Sequence, residues 1–194
     1  CEILTNIDSI RCSIGIGSAC TSAANTGIFY PMGSLIKEIY DISKTMENTP
    51  KIIADGGVKN FDEINKLINL GADYVMCGNI FAKSLEACGD VYWKGINVTK
   101  FKEFFFKHKF KLYRRYRGMS TKEVQKNMGK KELRTSEGIS FNIDIKYKLE
   151  TWVDNFDNYL KSAMSYSNCR TLKEFKGKQS FILITMNALQ SYKK

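Results

Sequence analysis

Three short runs of β-branched and apolar residues, each followed by a glycine-bearing turn and separated by stretches of helical spacing, constrain this chain more than any other feature. The runs are Ser9-Ile-Arg-Cys-Ser-Ile14, Lys51-Ile-Ile-Ala54 and Asp73-Tyr-Val-Met-Cys77, and each reads as a buried strand. Gly15-Ile-Gly-Ser18, Asp55-Gly-Gly57 and Gly78-Asn79 follow them. In the first interval Leu35, Ile36, Ile39, Tyr40 and Ile42 recur at helical spacing ahead of Pro50. In the second, Asn60 can cap a helix whose apolar face is Phe61, Ile64, Leu67 and Ile68, with Gly71 as its stop. Strand, helix, strand, helix, strand implies an α/β fold with a parallel sheet and right-handed crossovers, either an open sheet or a (β/α)8 barrel.

Past residue 80 the pattern loosens. Residues 90–116 interleave aromatic and basic side chains without a helical period and read as a hairpin-like excursion. Residues 121–127 read as a short helix, 131–145 as loop with some extended chain, 151–164 as an amphipathic helix burying Trp152, Val153, Phe156 and Leu160, and the end from Ser180 as a strand. With 194 residues, 43% hydrophobic and 12% aromatic, the chain has one domain's length and enough apolar surface for a core, which excludes intrinsic disorder. No apolar run approaches the roughly 18 residues needed to cross a bilayer, and no membrane partner is expected. The chain starts at Cys1 without a targeting pattern, so its numbering is expected to begin inside a longer polypeptide. Six cysteines without a C-x-x-C pair fit a reduced, cytoplasmic setting. The single histidine, His108, excludes a Cys2His2 zinc site. The net charge of +10 is concentrated in one place: between Lys94 and Lys131, thirteen Lys/Arg face only Glu103 and Glu123.

Functional groups of parallel α/β folds gather in the turns after the strands. Glycines there let backbone N–H groups approach an anion, while Asp55 suits sugar hydroxyls better than a phosphate it would repel. A ribose 5′-phosphate meets both demands; the same glycines in isolation could simply make tight turns. Cys20 sits in the first turn among small polar residues, where a thiol can be accessible. Cys12, Cys77 and Cys88 fit the alternative of a small buried hydrophobe.

The blocks Gly15-Ile-Gly-Ser-Ala-Cys-Thr-Ser22, Thr26-Gly-Ile-Phe-Tyr-Pro31, Ala54-Asp-Gly-Gly57, Tyr116-Arg-Gly-Met-Ser120 and Arg134-Thr-Ser-Glu-Gly138 resemble, in order, the IMP dehydrogenase/GMP reductase family. The continuation after the Cys20 turn, the Arg134 block, and the tail Lys161-Ser-Ala-Met-Ser-Tyr166 with Leu172-Lys-Glu-Phe175 resemble its GMP reductase branch. The resemblance implies a (β/α)8 TIM barrel of which only about the last three strands are present, with 1–194 as the C-terminal part of one barrel domain and the basic excursion at about 90–116 longer than usual. It implies an oxidoreductase that converts GMP to IMP and ammonia with NADPH through a covalent cysteine–purine intermediate. Catalysis falls to Cys20 as nucleophile with Ser22 and Glu137. Ser18, Gly56, Gly57, Gly78 and Asn79 match phosphate positions, Asp55 the ribose position, and Gly118, Met119, Ser120, Arg134, Ser136 and Gly138 the guanine side. Met119, Leu133, Arg134, Ser162, Ala163, Met164 and Ser165 match places near the nicotinamide cofactor, and the carbonyls of Gly15, Gly17 and Cys20 a potassium site. A homotetramer is implied as well.

Several positions depart from the family pattern: Ile16 replaces a proline, Ala23 an arginine, Asn79 a glycine, Leu133 a tyrosine and Ile139 a lysine. Three alternatives stay open beside the reductase: an IMP dehydrogenase running IMP to XMP with NAD, a nucleic-acid binder using the basic segment, which is disfavoured, and a non-catalytic relic.

Overall fold

The computed structural model describes residues 7–132, 135, 136, 138–178, 180–182 and 184–192. Strands β1 (Ser9–Cys12), β2 (Lys51–Asp55) and β3 (Tyr74–Met76) pair in parallel in that order, with Ile10 opposite Ile52 and Ala54 opposite Val75. Helix α1 (Ser22–Thr26) and helix α2 (Met32–Ser43) connect the first pair, and α3 (Phe61–Leu70) the second. Ile52 and Ala54 are fully buried, and with Ile36 of α2 and Ile64 and Leu67 of α3 they form the main core. Each such isoleucine contributes about 1.5–3 kcal/mol on leaving water. Asn60 precedes α3 without a side-chain capping bond; Glu63 of its first turn instead accepts the Lys59 N–H (2.5 Å).

After β3 comes the short α4 (Asn79–Ala82), and then a second, antiparallel sheet of β4 (Tyr92–Trp93), β5 (Ile96–Asn97), β6 (Tyr113–Arg117) and β7 (Ser140–Asp144), in the order β5-β4-β6-β7. Helices α5 (Lys102–Lys107) and α6 (Lys122–Asn127) interrupt it. Its own core is Leu85, Val91, Val98, Leu112 and Ile145 with Trp93, Phe105 and Phe106 against it. Arg114, 3% exposed, anchors this unit by donating to the carbonyls of Ser84, Leu85, Ala87 and Cys88. The two units are joined where Lys146 N–H bonds the Lys83 carbonyl and the Tyr147 hydroxyl bonds the Ile80 carbonyl (2.7 Å).

Helix α7 (Leu149–Tyr166) closes the main core by setting Trp152 5.2 Å from Phe61 and 5.5 Å from Phe81. After α7, α8 (Leu172–Phe175) leads to Lys176, whose ammonium lies 2.7 Å from Asp73, and α9 (Met186–Tyr192) ends the described chain.

Three expectations change. The described residues from Ser180 hold no strand: Phe181 and Ile182 are exposed, and Thr185 starts α9 by accepting the Ala188 N–H on its hydroxyl. The basic excursion holds a hairpin plus α5, because the Phe104–Phe106 triplet divides its rings between core and surface. The extended chain expected within 131–145 is present as β7. Cys88 is exposed, whereas Cys12 is buried and Cys77 half-buried. Among the described residues no helix is long and apolar enough to cross a membrane.

Candidate active site

Parallel registration brings the turns after β1, β2 and β3 to one edge of the sheet. They touch there: a Cβ built on Gly57 would lie 3.0 Å from the Ile16 carbonyl oxygen, and one on Gly56 3.3 Å from Gly17 Cα. Gly56 and Gly57 hold positive φ, +100° and +80° respectively, which side chains resist. Ile16, Gly17, Ser18, Gly56, Gly57 and Asn79 wall a cavity of about 1020 Å³.

Cys20 occupies the outer part of the first turn, whose wall of the cavity ends at Ser18. Its N–H bonds the Gly17 carbonyl (2.9 Å), which tightens the turn, and its exposed thiol donates to the Ser22 hydroxyl at 3.3 Å. Cys20 also bridges to Gly138, and the Ala19 carbonyl accepts the Ile139 N–H (3.0 Å) while Gly118 N–H bonds the Ile139 carbonyl (3.1 Å). The ends of β6 and β7 are thereby pinned onto the Cys20 turn. Side chains are excluded from this junction: a Cβ on Gly118 would sit 3.0 Å from the Ala19 carbonyl oxygen, and one on Gly138 3.0 Å from the Ser120 hydroxyl. Ser136 donates to the Gly138 carbonyl (3.1 Å). Cys20, Ser22, Gly118, Ser120, Ser136 and Gly138 are therefore gathered around one turn.

Asp55 does not stand alone. Arg11, one strand over, pairs with it at 3.3 Å, so a ribose would compete with a guanidinium for this carboxylate. Tyr116 also reaches the site, although no role was assigned to it: a Cβ on Gly78 would meet its hydroxyl at 2.8 Å. Burial, together with the negative charge of Asp55, raises the Tyr116 hydroxyl above the ordinary tyrosine range and keeps it a neutral donor. Lys59, Lys83 and Lys146 also line the cavity. Burial and the positive charges of Lys146 and Lys59 hold Lys83 below the usual lysine range, as expected where three ammonium groups crowd one space. Lys83 and Lys146 are 63 residues apart in sequence and are brought together by the backbone bonds between their segments, Lys146 N–H to the Lys83 carbonyl and Leu85 N–H to the Tyr147 carbonyl. Tyr116 opens the Tyr116–Ser120 block and is legible there, whereas the lysine cluster has no local signal in the sequence. Cys77, by contrast, is pushed up to about 11 by burial and is an inert neighbour.

The expected cofactor positions are not gathered. Met119 is 68% exposed in the turn beside Gly118, whereas Ser162 and Ala163 line a different cavity of about 520 Å³ with Phe61 and Tyr159. Met164 and Ser165 share those last turns of α7, and no hydrogen bond or ring contact among the described residues joins them to the Cys20 turn. Glu137, Leu133 and Arg134 lie outside the described residues. Of the carbonyls expected to hold potassium, that of Gly17 already accepts one N–H, leaving its second lone pair, and Gly15 sits at φ +73° against Ala23.

Comparison with known proteins supplies the context for this geometry. A profile of the IMP dehydrogenase / GMP reductase domain matches residues 3–193. GMP reductase of Onchocerca volvulus is 29% identical over 192 residues, covering 98% of this chain and 48% of the relative. Mouse GMP reductase 1 is 31% identical over 185 residues, covering 94% and 49%. The chain thus spans about half the length of the curated relatives it matches. A crystal structure of a GMP reductase variant from Trypanosoma brucei in complex with guanosine 5′-monophosphate superposes with a TM-score of 0.79 at 24% identity, over 96% of this chain and 36% of that one, which shows a shared fold. The chain belongs to the IMP dehydrogenase/GMP reductase family.

Proposed function

We propose that this chain carries the nucleophile and nucleotide-phosphate turns of a GMP reductase, and that β1, β2 and β3 correspond to the sixth, seventh and eighth strands of a (β/α)8 barrel. The observation that carries this reading is the meeting of the exposed Cys20 turn with both the Asp55–Gly57 turn and the Gly118/Gly138 junction. Backbone amides of the glycine turns, with Lys83 beside them, bind the 5′-phosphate of GMP. Tyr116 donates from the Gly78 side, and Asp55 takes the ribose hydroxyls once Arg11 releases it.

In this reading the Cys20 sulfur forms a bond to guanine C2 and the exocyclic amine leaves as ammonia, taking the proton delivered through Ser22 and Glu137. Met119, exposed beside Gly118, would lie against NADPH, which would supply the hydride that C2 requires. The C–S bond then breaks, the electron pair returns to Cys20 as thiolate, and IMP departs. The carbonyls of Gly15, Gly17 and Cys20 would hold a monovalent cation that stiffens the turn. Tetrameric assembly rests on the family alone.

The test is an absorbance assay of the protein with GMP plus NADPH, run beside IMP plus NAD. NADPH consumption that needs GMP, stops in Cys20→Ala and falls strongly in Glu137→Gln is expected. NAD reduction with IMP and none with GMP would reverse the assignment to a dehydrogenase, and turnover with neither pair would leave a relic.

A further inference from the structure

The basic segment has no place in this chemistry, and the structure shows where its rings go. Phe105 and Phe106 pack with Trp93 on the second core, whereas Phe104 stays 58% exposed and Phe110 39%. Between α5 and residues 145–148 lies a cavity of about 790 Å³. Phe104, Phe106 and Phe110 form its apolar wall, and Lys107, Lys109, Lys111, Lys146 and Lys148 surround it. Glu103 is the one carboxylate in its lining and is paired with Lys148 (3.2 Å), while Lys111 is paired with Asp144 (3.5 Å). Among the described residues, no carboxylate lies within ion-pair distance of Lys107, Lys109 or Lys146. Lys109 holds φ +59°, a backbone conformation few side chains adopt, at the turn between α5 and β6.

Three unneutralised ammonium groups around one hollow repel one another, and an anion entering it relieves that cost. The volume lies in the range of small-molecule sites, roughly 300–1,000 Å³. Phe104 packs on the His108 ring (centroids 4.3 Å), and its exposed remainder, with Phe110, offers a base a stacking surface. A triphosphate carries charge enough to offset all three ammonium groups, whereas a monophosphate, at about −2, does not. We propose that this cavity is a second nucleotide site, separate from the Cys20 turn, that takes a nucleoside triphosphate with its base against Phe104 and Phe110 and its phosphates on Lys107, Lys109 and Lys146. The site does not depend on the reductase reading. Lys146 also borders the larger cavity, so the two sites are neighbours.

Titration calorimetry of the protein with ATP, GTP, inorganic triphosphate and a short single-stranded oligonucleotide, each with and without saturating GMP, tests this. One triphosphate per chain is expected to bind whether or not GMP is present. Phe104→Ala and the double variant Lys107→Ala/Lys109→Ala should each weaken it about tenfold, with GMP affinity unchanged in both and the melting temperature unchanged in the lysine variant, whose side chains are exposed. Inorganic triphosphate should bind at least about fivefold more weakly, for want of stacking. Absence of saturable binding, complete displacement by GMP, indifference to the double variant, or tighter binding of the oligonucleotide than of either triphosphate would each overturn the proposal.

Discussion

Gly57 offers a direct probe of whether the turns after β1 and β2 truly meet. Gly57→Ala forces a side chain into φ +80°, which costs about 1–2 kcal/mol for an L-residue. The new Cβ would also stand 3.0 Å from the Ile16 carbonyl oxygen, inside ordinary contact, and the obstacle is backbone rather than a flexible chain end. Moving the Cys20 turn back by a few tenths of an ångström adds about 1 kcal/mol. Gly95→Ala is the matched control: φ is +87° there, but nothing lies within 4 Å of its Cβ, so the backbone strain acts alone. Both variants regain a few tenths of a kcal/mol from the stiffer unfolded chain, which cancels in the comparison. Urea denaturation should therefore place Gly57→Ala about 1 kcal/mol below Gly95→Ala, and only the former should weaken GMP binding. Equal losses of stability with intact GMP binding would refute the contact between the turns, and with it the shared nucleotide cradle.

Three further outcomes follow from other contacts. Arg114→Met should cost about 3 kcal/mol in urea denaturation, because it leaves the carbonyls of the Ser84–Cys88 stretch without their buried donor, and Arg114→Lys should not rescue it since one ammonium cannot span them. Burial alone would raise the Asp73 carboxyl, but the Lys176 hydrogen bond, the Ile52 N–H and the charges of Lys176 and Lys51 outweigh it and hold Asp73 below the usual carboxylate range. The folded group therefore titrates lower than the unfolded one, so its contribution is full above about pH 4 and fades as pH falls further. Asp73→Asn should cost about 2 kcal/mol at neutral pH and much less in acid, as read from melting curves across pH. Lys83→Met should weaken GMP binding about fivefold while leaving guanosine binding unchanged, a difference equilibrium dialysis reads directly.

What the sequence made legible was local. The β-branched runs, the glycine turns after them and the spacing of Phe61, Ile64 and Leu67 each lie within a dozen residues, and the parallel core follows from their order. The junction of Cys20 with Gly138 was accessible through motif resemblance rather than through periodicity, since more than a hundred residues separate the two. Arg114 was not foreseeable, because its carbonyl partners lie 26 to 30 residues away and no pattern marks them. The Phe104–Phe106 triplet has no single face, so rings of one sequence run were sorted into core and surface only by packing. Phe181-Ile-Leu-Ile-Thr-Met186 has strand composition, yet Phe181 and Ile182 pair with no strand among the described residues, and a strand without a ladder has little to stabilise it.

Iodoacetamide labelling of Cys20, followed by peptide mass with Cys88 as internal reference, reaches the core of this account most directly. Both thiols are exposed, but only Cys20 belongs to the turn assigned to the purine. GMP or IMP should slow modification of Cys20 at least about tenfold while Cys88 reacts at its unliganded rate. A Cys20 rate indifferent to either nucleotide would contradict the placement of a substrate over that sulfur.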